Sequence, residues 1–439
     1  MKSLLLRSGL LICLICIFTG CKKNKTAEPS GPPTVTGVSN TVAGIGYHII
    51  VAGTNFSTNI SNNTVSINGV AGIVTSASSN QLAVVFTNAV TGKISITVNG
   101  NTASADIDTR IINLSVSTLA GSGVIGSDNG AGNAASFNGQ WGCAMGANNN
   151  LYVADSYNHE IRKIAFDGTV STVAGKGNPG NQDGAVGSAT FNYPFGIVVD
   201  KNGNIYVSEI GSDNIRKITP DGMVSTFAGS PTGRTGSNDG ADTSASFNDP
   251  LGLATDADGN IYVADAANNK IRKITPAGIV TTVAGTGTAG AGNGTALSAS
   301  FNTPLSVAID GSNNLYVTEQ KNYDIRKIAT DGTVTTVAGS GQAGSADGAG
   351  TSAGFNYPVG IVADLSGNLY VTDNGYGTIR IITSSGFVAT LAGNGNQAST
   401  DGIGYQASFN NPLGMAMDSG GNLYVMDNSS NKVRKVTVQ

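Results

Sequence analysis

The chain repeats one long segment, and this repetition constrains the fold more than any other feature of the sequence. One copy, residues 191–222, reads FNYPFGIVVDKNGNIYVSEIGSDNIRKITPDG. The copies begin at Phe137, Phe191, Phe247, Phe301, Phe355 and Phe409. Successive copies are offset by 54 or 56 residues when measured between the tyrosines that they share. Those tyrosines are Tyr152, Tyr206, Tyr262, Tyr316, Tyr370 and Tyr424. A fixed period of this length indicates a repeat architecture built from one supersecondary unit.

Each copy contains four short runs of apolar and β-branched residues. In the second copy these runs are Phe195–Asp200, Asn204–Glu209, Asn214–Thr219 and Met223–Ala228. Gly, Asn, Asp and Pro fill the gaps between the runs, and no window keeps apolar residues at helical spacing, so we expect strands and no helices. Four antiparallel strands in each of six copies predict an all-β, six-bladed β-propeller. A solenoid of β-units is the alternative, and tight turns between four strands favour the blade.

The phase of the strands predicts how the ring closes. A V-[ST]-T-x-A-G pattern follows the third run in the first five copies, and the match in copy five is loose. A sixth occurrence of the pattern, Val116–Gly121, precedes the first copy. The last copy ends at Gln439 directly after its third run. We therefore expect residues 114–121 to supply the missing outer strand of the last blade. Such pairing removes an open sheet edge and joins the first blade to the last.

Three motifs recur in a constant order from about Val116 to Gln439. They are AG-x-G…DG…A-x-FN-x-P-x-G-[IL], D-x-x-GN-[IL]-YV-x-[DE] and N-x-x-IRKI. Together they resemble NHL repeats, and this resemblance implies a six-bladed propeller over residues 114–439. NHL-type propellers include protein-binding, RNA-binding and lyase members, so the resemblance does not select a function.

The start of the chain has the pattern of an exported, lipid-modified protein. Basic residues precede the apolar run Leu10–Phe18, which is too short to span a bilayer. The sequence Phe18-Thr19-Gly20-Cys21 resembles a bacterial lipobox with Phe18 in place of the usual Leu, and it implies cleavage before Cys21 and lipid on its thiol. We expect a signal peptide at 1–20 and a lipidated tether at 21–33. The alternative is an ordinary signal peptide followed by a chance cysteine.

This pattern predicts the location of the protein. The membrane becomes a partner through the N-terminal lipid, and the expected location is the cell envelope, at the outer membrane. The sequence does not fix the periplasmic or the surface side.

Residues 34–109 lack the long repeat and show short alternating runs separated by turn residues. This pattern is typical of a small antiparallel sandwich of roughly seven strands. Pro33-Thr34-Val35, Gly53-Thr54-Asn55-Phe56 and Val65-x-Ile67-Asn68-Gly69 resemble the IPT/TIG immunoglobulin-like module. The resemblance implies a spacer or a contact surface.

Charge argues against a nucleic-acid partner. Only 12% of the 439 residues are charged and the net charge is −4, whereas phosphate binding needs a concentrated basic face. The recurrent Arg-Lys pairs would be spread around the ring. We therefore expect no nucleic acid among the partners.

An acid ends the second strand of every copy. These acids are Asp155, Glu209, Asp265, Glu319, Asp373 and Asp427. They could form a metal-binding ring for a lactonase-like hydrolase or lyase at the channel mouth, or each could accept backbone hydrogen bonds and pair with an Arg of the next strand. Presence in all copies favours the second interpretation, because catalysis needs groups that differ from their neighbours.

No other feature of the sequence indicates chemistry. The propeller contains one histidine, His159, whereas the amidating lyases that NHL propellers resemble hold zinc with several. No blade shows a lone acid outside the repeat pattern. We therefore expect no catalytic residue, metal or cofactor.

Departures from the repeat supply the candidate ligand-binding residues. Tyr193 and Tyr357 precede the inner strand where other copies have Gly, Asp, Thr or Asn, and the single tryptophan, Trp141, replaces Phe, Leu or Val. Copies two and five lie opposite each other in a ring of six, so their tyrosines could present aromatic faces to a sugar or a protein loop at the channel mouth. Local packing is the alternative, above all for Trp141.

The long connections between blades all lie on one face of the ring. Scaffolds usually carry their functional residues on such loops. The predicted function is non-catalytic binding of a glycan or an envelope protein on this face.

Overall fold

Two all-β domains make up the part of the chain that the computed structural model describes, which is residues 29, 31–39 and 42–438. Within these ranges there is no α-helix, as predicted, and helical structure is limited to single 3-10 turns. These turns are Ile60–Asn62, Gly132–Ala134, Ala147–Asn149, Ser156–Asn158, Asp242–Ser244, Gly350–Ser352, Asn374–Tyr376, Gly404–Gln406 and Asn428–Ser430. Over the same residues no helix has the length and hydropathy needed to cross a membrane. The predicted signal peptide and Cys21 lie outside the described residues.

The first domain is a sandwich of eight strands around one apolar core. The strands are β1 (Thr34–Val38), β2 (Val42–Gly44), β3 (His48–Thr54), β4 (Asn63–Ile67), β5 (Val70–Ala77), β6 (Gln81–Val85), β7 (Val90–Val98) and β8 (Asn101–Ile112). They are hydrogen-bonded in the order β1-β3-β6-β5-β4-β7-β8-β2. Alternate residues such as Ile49 and Val51 are fully buried, as expected for an antiparallel sheet with one face on the core and one face exposed to solvent. The last strand ends three residues beyond the expected boundary at 109.

The second domain is a ring of six blades preceded by β9 (Leu114–Ala120). Blade one contains β10 (Gly130–Ala131), β11 (Gln140–Met145), β12 (Leu151–Asp155), β13 (Glu160–Ile164) and β14 (Thr169–Ala174). Blade two contains β15 (Gly184–Ala185), β16 (Pro194–Val199), β17 (Ile205–Glu209), β18 (Asn214–Ile218) and β19 (Met223–Gly229). Blade three contains β20 (Gly240–Ala241), β21 (Pro250–Thr255), β22 (Ile261–Asp265), β23 (Lys270–Ile274) and β24 (Ile279–Ala284).

The other three blades repeat this arrangement. Blade four contains β25 (Gly294–Thr295), β26 (Pro304–Ile309), β27 (Leu315–Glu319), β28 (Asp324–Ile328) and β29 (Thr333–Ala338). Blade five contains β30 (Gly348–Ala349), β31 (Pro358–Ala363), β32 (Leu369–Asp373), β33 (Thr378–Ile382) and β34 (Phe387–Ala392). Blade six contains β35 (Gly402–Ile403), β36 (Pro412–Met417), β37 (Leu423–Asp427) and β38 (Lys432–Val438).

Each blade has one strand more than the sequence predicts. In blade two the order is β15-β19-β18-β17-β16, so the four longer strands are the predicted ones and the dipeptide β15 is added at the outer edge. This dipeptide belongs to the long connection from blade one. Two residues carry no readable periodicity, which is why the pattern of apolar residues does not reveal it.

The ring is closed by β9, as the phase of the strands predicts. β9 pairs antiparallel with β38 from Leu114 opposite Val438 to Ala120 opposite Val433, and β35 pairs with its other edge. Blade six therefore has the order β35-β9-β38-β37-β36. Its outer strand comes from the start of the domain and its inner strands from the end.

The inner strands of neighbouring blades lie very close together around the axis. A Cβ atom at Gly196 would collide with the carbonyl oxygen of Leu251 on the next inner strand, and Gly142, Gly360 and Gly414 have equivalent collisions. Glycine at this position therefore permits the backbone contact between blades. The residue that precedes this position in each inner strand lines the mouth of the central channel.

The sandwich contacts the outer edge of the propeller. The Tyr47 hydroxyl donates a hydrogen bond to the carbonyl oxygen of Gly393 at 2.6 Å, and Ile403 and Tyr405 pack against the sandwich core. These propeller residues follow the outer strand of blade five. Within the described part of the chain, all residues that line the mouth of the channel on the long-loop face belong to the propeller.

Candidate ligand site at the channel mouth

The six equivalent acids are buried in ion pairs inside their own blades. In blade three the Asp265 side chain is fully buried, its Oδ2 is 2.7 Å from Arg272 Nη1, and its Oδ1 accepts the backbone N–H of Asn248 at 2.8 Å. The same arginine position pairs with the acid in every blade. The pairs are Asp155–Arg162, Glu209–Arg216, Asp265–Arg272, Glu319–Arg326, Asp373–Arg380 and Asp427–Arg434.

The arginine joins the separate motifs of the repeat. The Arg272 guanidinium lies 5.2 Å from the centre of the Phe247 ring, and its Nη2 is 2.7 Å from Asp239 of the long connection. Arg272 Nη1 also donates to the carbonyl oxygen of Ser246. The FN, DG, acid and IRK motifs therefore recur together because each supplies one part of a buried polar cluster.

These contacts also determine the titration of the acids. Burial raises the pKa of all six carboxyls, while the arginine and the backbone N–H oppose that rise. Each carboxylate already has partners in its own blade. Over the described ranges, no three His, Cys, Asp or Glu side chains are placed to hold one metal ion. The acids thus adopt the paired arrangement rather than a shared ring.

The mouth of the channel on the long-loop face is a cavity of about 550 Å³. The second residue of each inner strand provides its floor. These floor residues are Trp141, Phe195, Leu251, Leu305, Val359 and Leu413. The Trp141 and Phe195 rings stack with centroids 4.3 Å apart and an interplanar angle of 29°. The floor is therefore apolar, with one extended aromatic surface.

The rim of the cavity is polar and weakly charged. It includes the side chains of Asp249, Thr303, Gln320, Asn374 and Asn411. Hydroxyl and amide groups above an apolar floor are typical of small-molecule sites, where a few polar groups fix the orientation of the ligand. Sequence reasoning found Trp141 but missed the rest of this set. The variable residue that follows the FN-x-P motif is the signal that could have revealed the floor.

The structure separates the three predicted aromatic residues. Trp141 is half-buried and lines the cavity, whereas Tyr193 and Tyr357 are outside its lining. Each tyrosine lies at a junction with the preceding blade. The Tyr193 ring contacts Tyr157 and His159, and the Tyr357 ring contacts Tyr323.

Family models match two parts of the chain. The IPT/TIG domain model matches residues 33–111, and the NHL repeat model matches residues 247–274. The second match falls on one of six structurally equivalent blades. The chain is an NHL-repeat β-propeller with an N-terminal IPT/TIG domain.

Curated relatives match part of this chain and are much longer than the matched part. This chain is 30% identical over 282 residues to Protein SUPPRESSOR OF QUENCHING 1, chloroplastic, of Arabidopsis thaliana. The match covers 60% of this chain and 27% of the relative. NHL repeat-containing protein 2 of Bos taurus is 27% identical over 328 residues, which cover 66% of this chain and 45% of the relative. The chain therefore spans less than half the length of either protein.

Solved structures resemble the whole described molecule. An auxiliary nutrient binding protein from Bacteroides thetaiotaomicron has a TM-score of 0.57 and 20% identity, covering 93% of this chain and 98% of that chain. An auxiliary nutrient binding protein from Bacteroides ovatus has a TM-score of 0.57 and 18% identity, covering 94% and 99%. At these identities the likeness shows the fold.

A smaller cavity of about 300 Å³ lies further along the central channel of the NHL propeller. It is lined by apolar residues of the inner strands, among them Cys143, Met145 and Met415. Burial raises the pKa of the Cys143 thiol, so this cysteine remains protonated and behaves as a small apolar side chain. Cys143 is therefore a core residue of the inner strand of blade one.

One buried acid contradicts the expectation that no blade departs from the acid pattern. Asp324 is 4% exposed and lies directly opposite Glu319 in the pairing of β27 with β28. Its Oδ1 has no hydrogen-bond partner among the described residues. The equivalent residues in other blades are Glu160, Asn214, Lys270, Thr378 and Lys432. Burial and the adjacent Glu319 raise the pKa of Asp324 above its ordinary value of 3.8.

Replacement of this acid should change how stability depends on pH. The folded protein holds a proton on Asp324 that the unfolded chain releases above about pH 4, so this contribution to stability is lost as pH rises through the raised folded pKa. We expect Asp324→Asn to melt higher than the wild type by an amount that grows from acidic to alkaline pH. Asn214 shows that the position accepts asparagine.

Melting curves at several pH values check this expectation. Asp258→Asn, which replaces an exposed acid in blade three, serves as the control and should follow the wild type at every pH. If the difference in melting temperature between Asp324→Asn and the wild type did not change with pH, folding would not raise the pKa of Asp324.

Proposed function

We propose that this NHL propeller is a non-catalytic binding protein that holds a glycan in the cavity at the channel mouth. The stacked surface of Trp141 and Phe195, set beneath a rim of amide and hydroxyl groups, is the observation that carries the proposal. A sugar ring has an apolar face of C–H groups that packs on aromatic rings. Its hydroxyls lie at the edge, where they can exchange hydrogen bonds with rim groups such as Thr303 and Gln320.

The charge of the site favours a neutral ligand. Among the described residues, Asp249 is the one acidic residue in the lining and no basic residue lines the cavity. A phosphorylated or strongly acidic ligand would require a basic residue to compensate its charge. The auxiliary nutrient binding proteins that share this fold support a nutrient-binding role by analogy of fold.

Binding also fits the arrangement of the acids better than hydrolysis does. Each of the six acids of the lactonase-like alternative is buried beside an arginine, and none of them lines the cavity. A hydrolase would need a general base or a metal ligand within reach of the bound substrate. An envelope protein remains the other predicted partner, and the binding screen described next distinguishes it from a glycan.

Trp141→Leu is expected to weaken glycan binding at least about tenfold, or about 1.4 kcal/mol. Leucine already occupies this position in blades three, four and six, so it should fill the floor without offering a flat aromatic face. A glycan screen identifies the ligand, and isothermal titration measures its affinity for both proteins.

Phe166→Leu provides the matched control. Phe166 is 76% exposed and lies in the turn between β13 and β14 of blade one, on the face opposite the long loops. Its replacement should leave the affinity unchanged. Equal affinities for the wild type and Trp141→Leu would contradict the proposed site. A screen in which envelope proteins bind and glycans do not would replace the glycan with a protein partner.

We also propose that the protein is anchored in the outer membrane through lipid on Cys21. The lipobox-like sequence before Cys21 supports this proposal. Cys21→Ser should move the protein from the membrane fraction to the soluble fraction and remove the mass of the lipid from the mature chain. Cys143→Ser should leave the anchor in place. Density-gradient fractionation and intact-mass spectrometry check both expectations, and membrane retention of Cys21→Ser would oppose the proposal.

A further inference from the structure

Two aromatic clusters stand on the long-loop face beside the mouth cavity. The first cluster consists of Tyr157, His159 and Tyr193, with ring centroids 5.8 Å apart for the two tyrosines and 4.7 Å apart for His159 and Tyr193. The second cluster consists of Tyr323 and Tyr357, whose centroids are 5.6 Å apart. In each cluster the rings come from two successive blades and meet edge to face.

The clusters lie at opposite ends of one diameter of the ring. The first is at the junction of blades one and two, and the second is at the junction of blades four and five. These junctions are three steps apart in a ring of six, which corresponds to half a turn. The mouth cavity is on the axis between them. The two clusters and the cavity therefore follow one line across the face.

At other junctions the residue before the inner strand is small and polar, and its backbone N–H donates to a side chain of the preceding blade. The N–H of Asp249 donates to Asp213 Oδ1 at 2.8 Å, and the N–H of Thr303 donates to Asn269 Oδ1 at 3.0 Å. At the first cluster the N–H of Tyr193 donates to His159 Nδ1 at 3.2 Å, so the contact needs an acceptor on the preceding blade and not a ring at position 193. The packing of the blades therefore does not account for the tyrosines.

The backbone also disfavours these tyrosines. Tyr193 has a φ of 52° and Tyr357 a φ of 59°, and this left-handed conformation costs a residue other than glycine about 1 kcal/mol. Gly139 and Asn411 take the same conformation in blades one and six. The Tyr193 side chain is nevertheless 37% exposed, and the Tyr357 side chain is half-buried. Rings that keep part of their surface exposed in a strained conformation next to a cavity are suited to contact with a ligand.

We propose that the two clusters are outer subsites and that the ligand is a linear, neutral oligosaccharide or polysaccharide lying across the face from one cluster, over the mouth cavity, to the other. This inference rests on the proposed glycan binding at the cavity. A monosaccharide could occupy the cavity but could not reach a junction on either side. A linear chain of sugar rings presents a repeated apolar face, which matches aromatic surfaces spaced along a line. Neither cluster contains a Lys, Arg, Asp or Glu, so an uncharged chain fits best.

Titration of the full-length protein with oligosaccharides of increasing length tests the inference. The probes are cello-, xylo- and malto-oligosaccharides from disaccharide to hexasaccharide. The wild type should bind one series with an affinity that rises with length. Tyr193→Gly combined with Tyr357→Gly should lose that rise, about tenfold for the hexasaccharide, and should keep the affinity for the disaccharide. Each single variant should lose part of the rise.

Asn431→Gly is the matched control for the glycine substitutions. Asn431 has a φ of 50° in the loop between β37 and β38 of blade six, at the position equivalent to His159 and Tyr323, and no ring is removed, so binding should equal that of the wild type at every length. The melting temperature of the double tyrosine variant should not fall, because glycine takes the left-handed conformation without strain.

Two further results would overturn the inference in different ways. An unchanged dependence on length in the double variant, or a loss confined to one of the two tyrosines, would refute the path across the face and leave glycan binding at the cavity intact. Failure of the wild type to bind any oligosaccharide in the three series would refute both proposals.

Discussion

Deletion of Leu114–Gly121 should lower the melting temperature of the propeller by about 10 °C or more. β9 is the outer partner of β38 along its whole length, and it also carries β35. Leu114 and Val116 are 4% and 1% exposed, and burial of such side chains contributes about 1.5–3 kcal/mol each. Without β9, blade six would expose an unpaired edge, and the chain that leads into blade one would no longer be anchored in blade six. Circular dichroism on heating measures the effect.

Point substitutions within β9 separate side-chain packing from loss of the strand. Val116→Ala should cost about 2 kcal/mol because it leaves a cavity in the core. Ser117→Ala, at the exposed neighbouring residue, should leave the melting temperature unchanged. Melting of the deletion variant at the wild-type temperature would mean that the ring does not depend on β9 for closure.

Arg272→Met should destabilise the propeller by about 3–5 kcal/mol, because it leaves the buried Asp265 carboxylate without its ion-pair partner. It also removes the hydrogen bond between Arg272 Nη2 and Asp239, which ties the long connection to the blade. Denaturant titration measures the free energy of unfolding.

The double variant Arg272→Met with Asp265→Leu tests the physical cause. Removal of both charges should recover a large part of the loss, since a buried ion pair replaced by apolar groups of similar size is often close to neutral. Lys273→Met, at the next residue of β23, is the matched control and should cost less than about 1 kcal/mol, because Lys273 is only half-buried and contacts the Tyr262 ring at 5.8 Å. Equal losses for Arg272→Met and Lys273→Met would show that the buried pair has no special role.

The acids show the limit of reasoning from repeats. Recurrence in every copy favoured a structural role for Asp265 and its equivalents. The sequence did not exclude a shared metal-binding ring, because both arrangements place the acid at the end of the second strand. Burial decides between them. The arginine seven residues later lies on the adjacent strand with its side chain on the same face, so each carboxylate is neutralised inside its own blade.

Asp324 shows the opposite case, in which a departure from the repeat was visible but its meaning was not. The six copies carry five different residues at this position. Asp324 is 4% exposed and faces Glu319, whereas Glu160 and Lys270 at the same position are half-buried. The degree of burial at this position is a property of the tertiary structure, which no local pattern of residues describes.

By itself, the sequence determined the two domains, the number of blades, the four principal strands of each blade and the closing strand, because period and phase are properties of the order of residues along the chain. Only the tertiary structure decided which residues share a site. Trp141 and Leu413 are separated by most of the propeller sequence, yet both line the mouth cavity because ring closure brings the inner strands of blades one and six together. The inner strands pack closely at a glycine in five blades and at Ser306 in blade four, and this packing exists only once all six blades are in place.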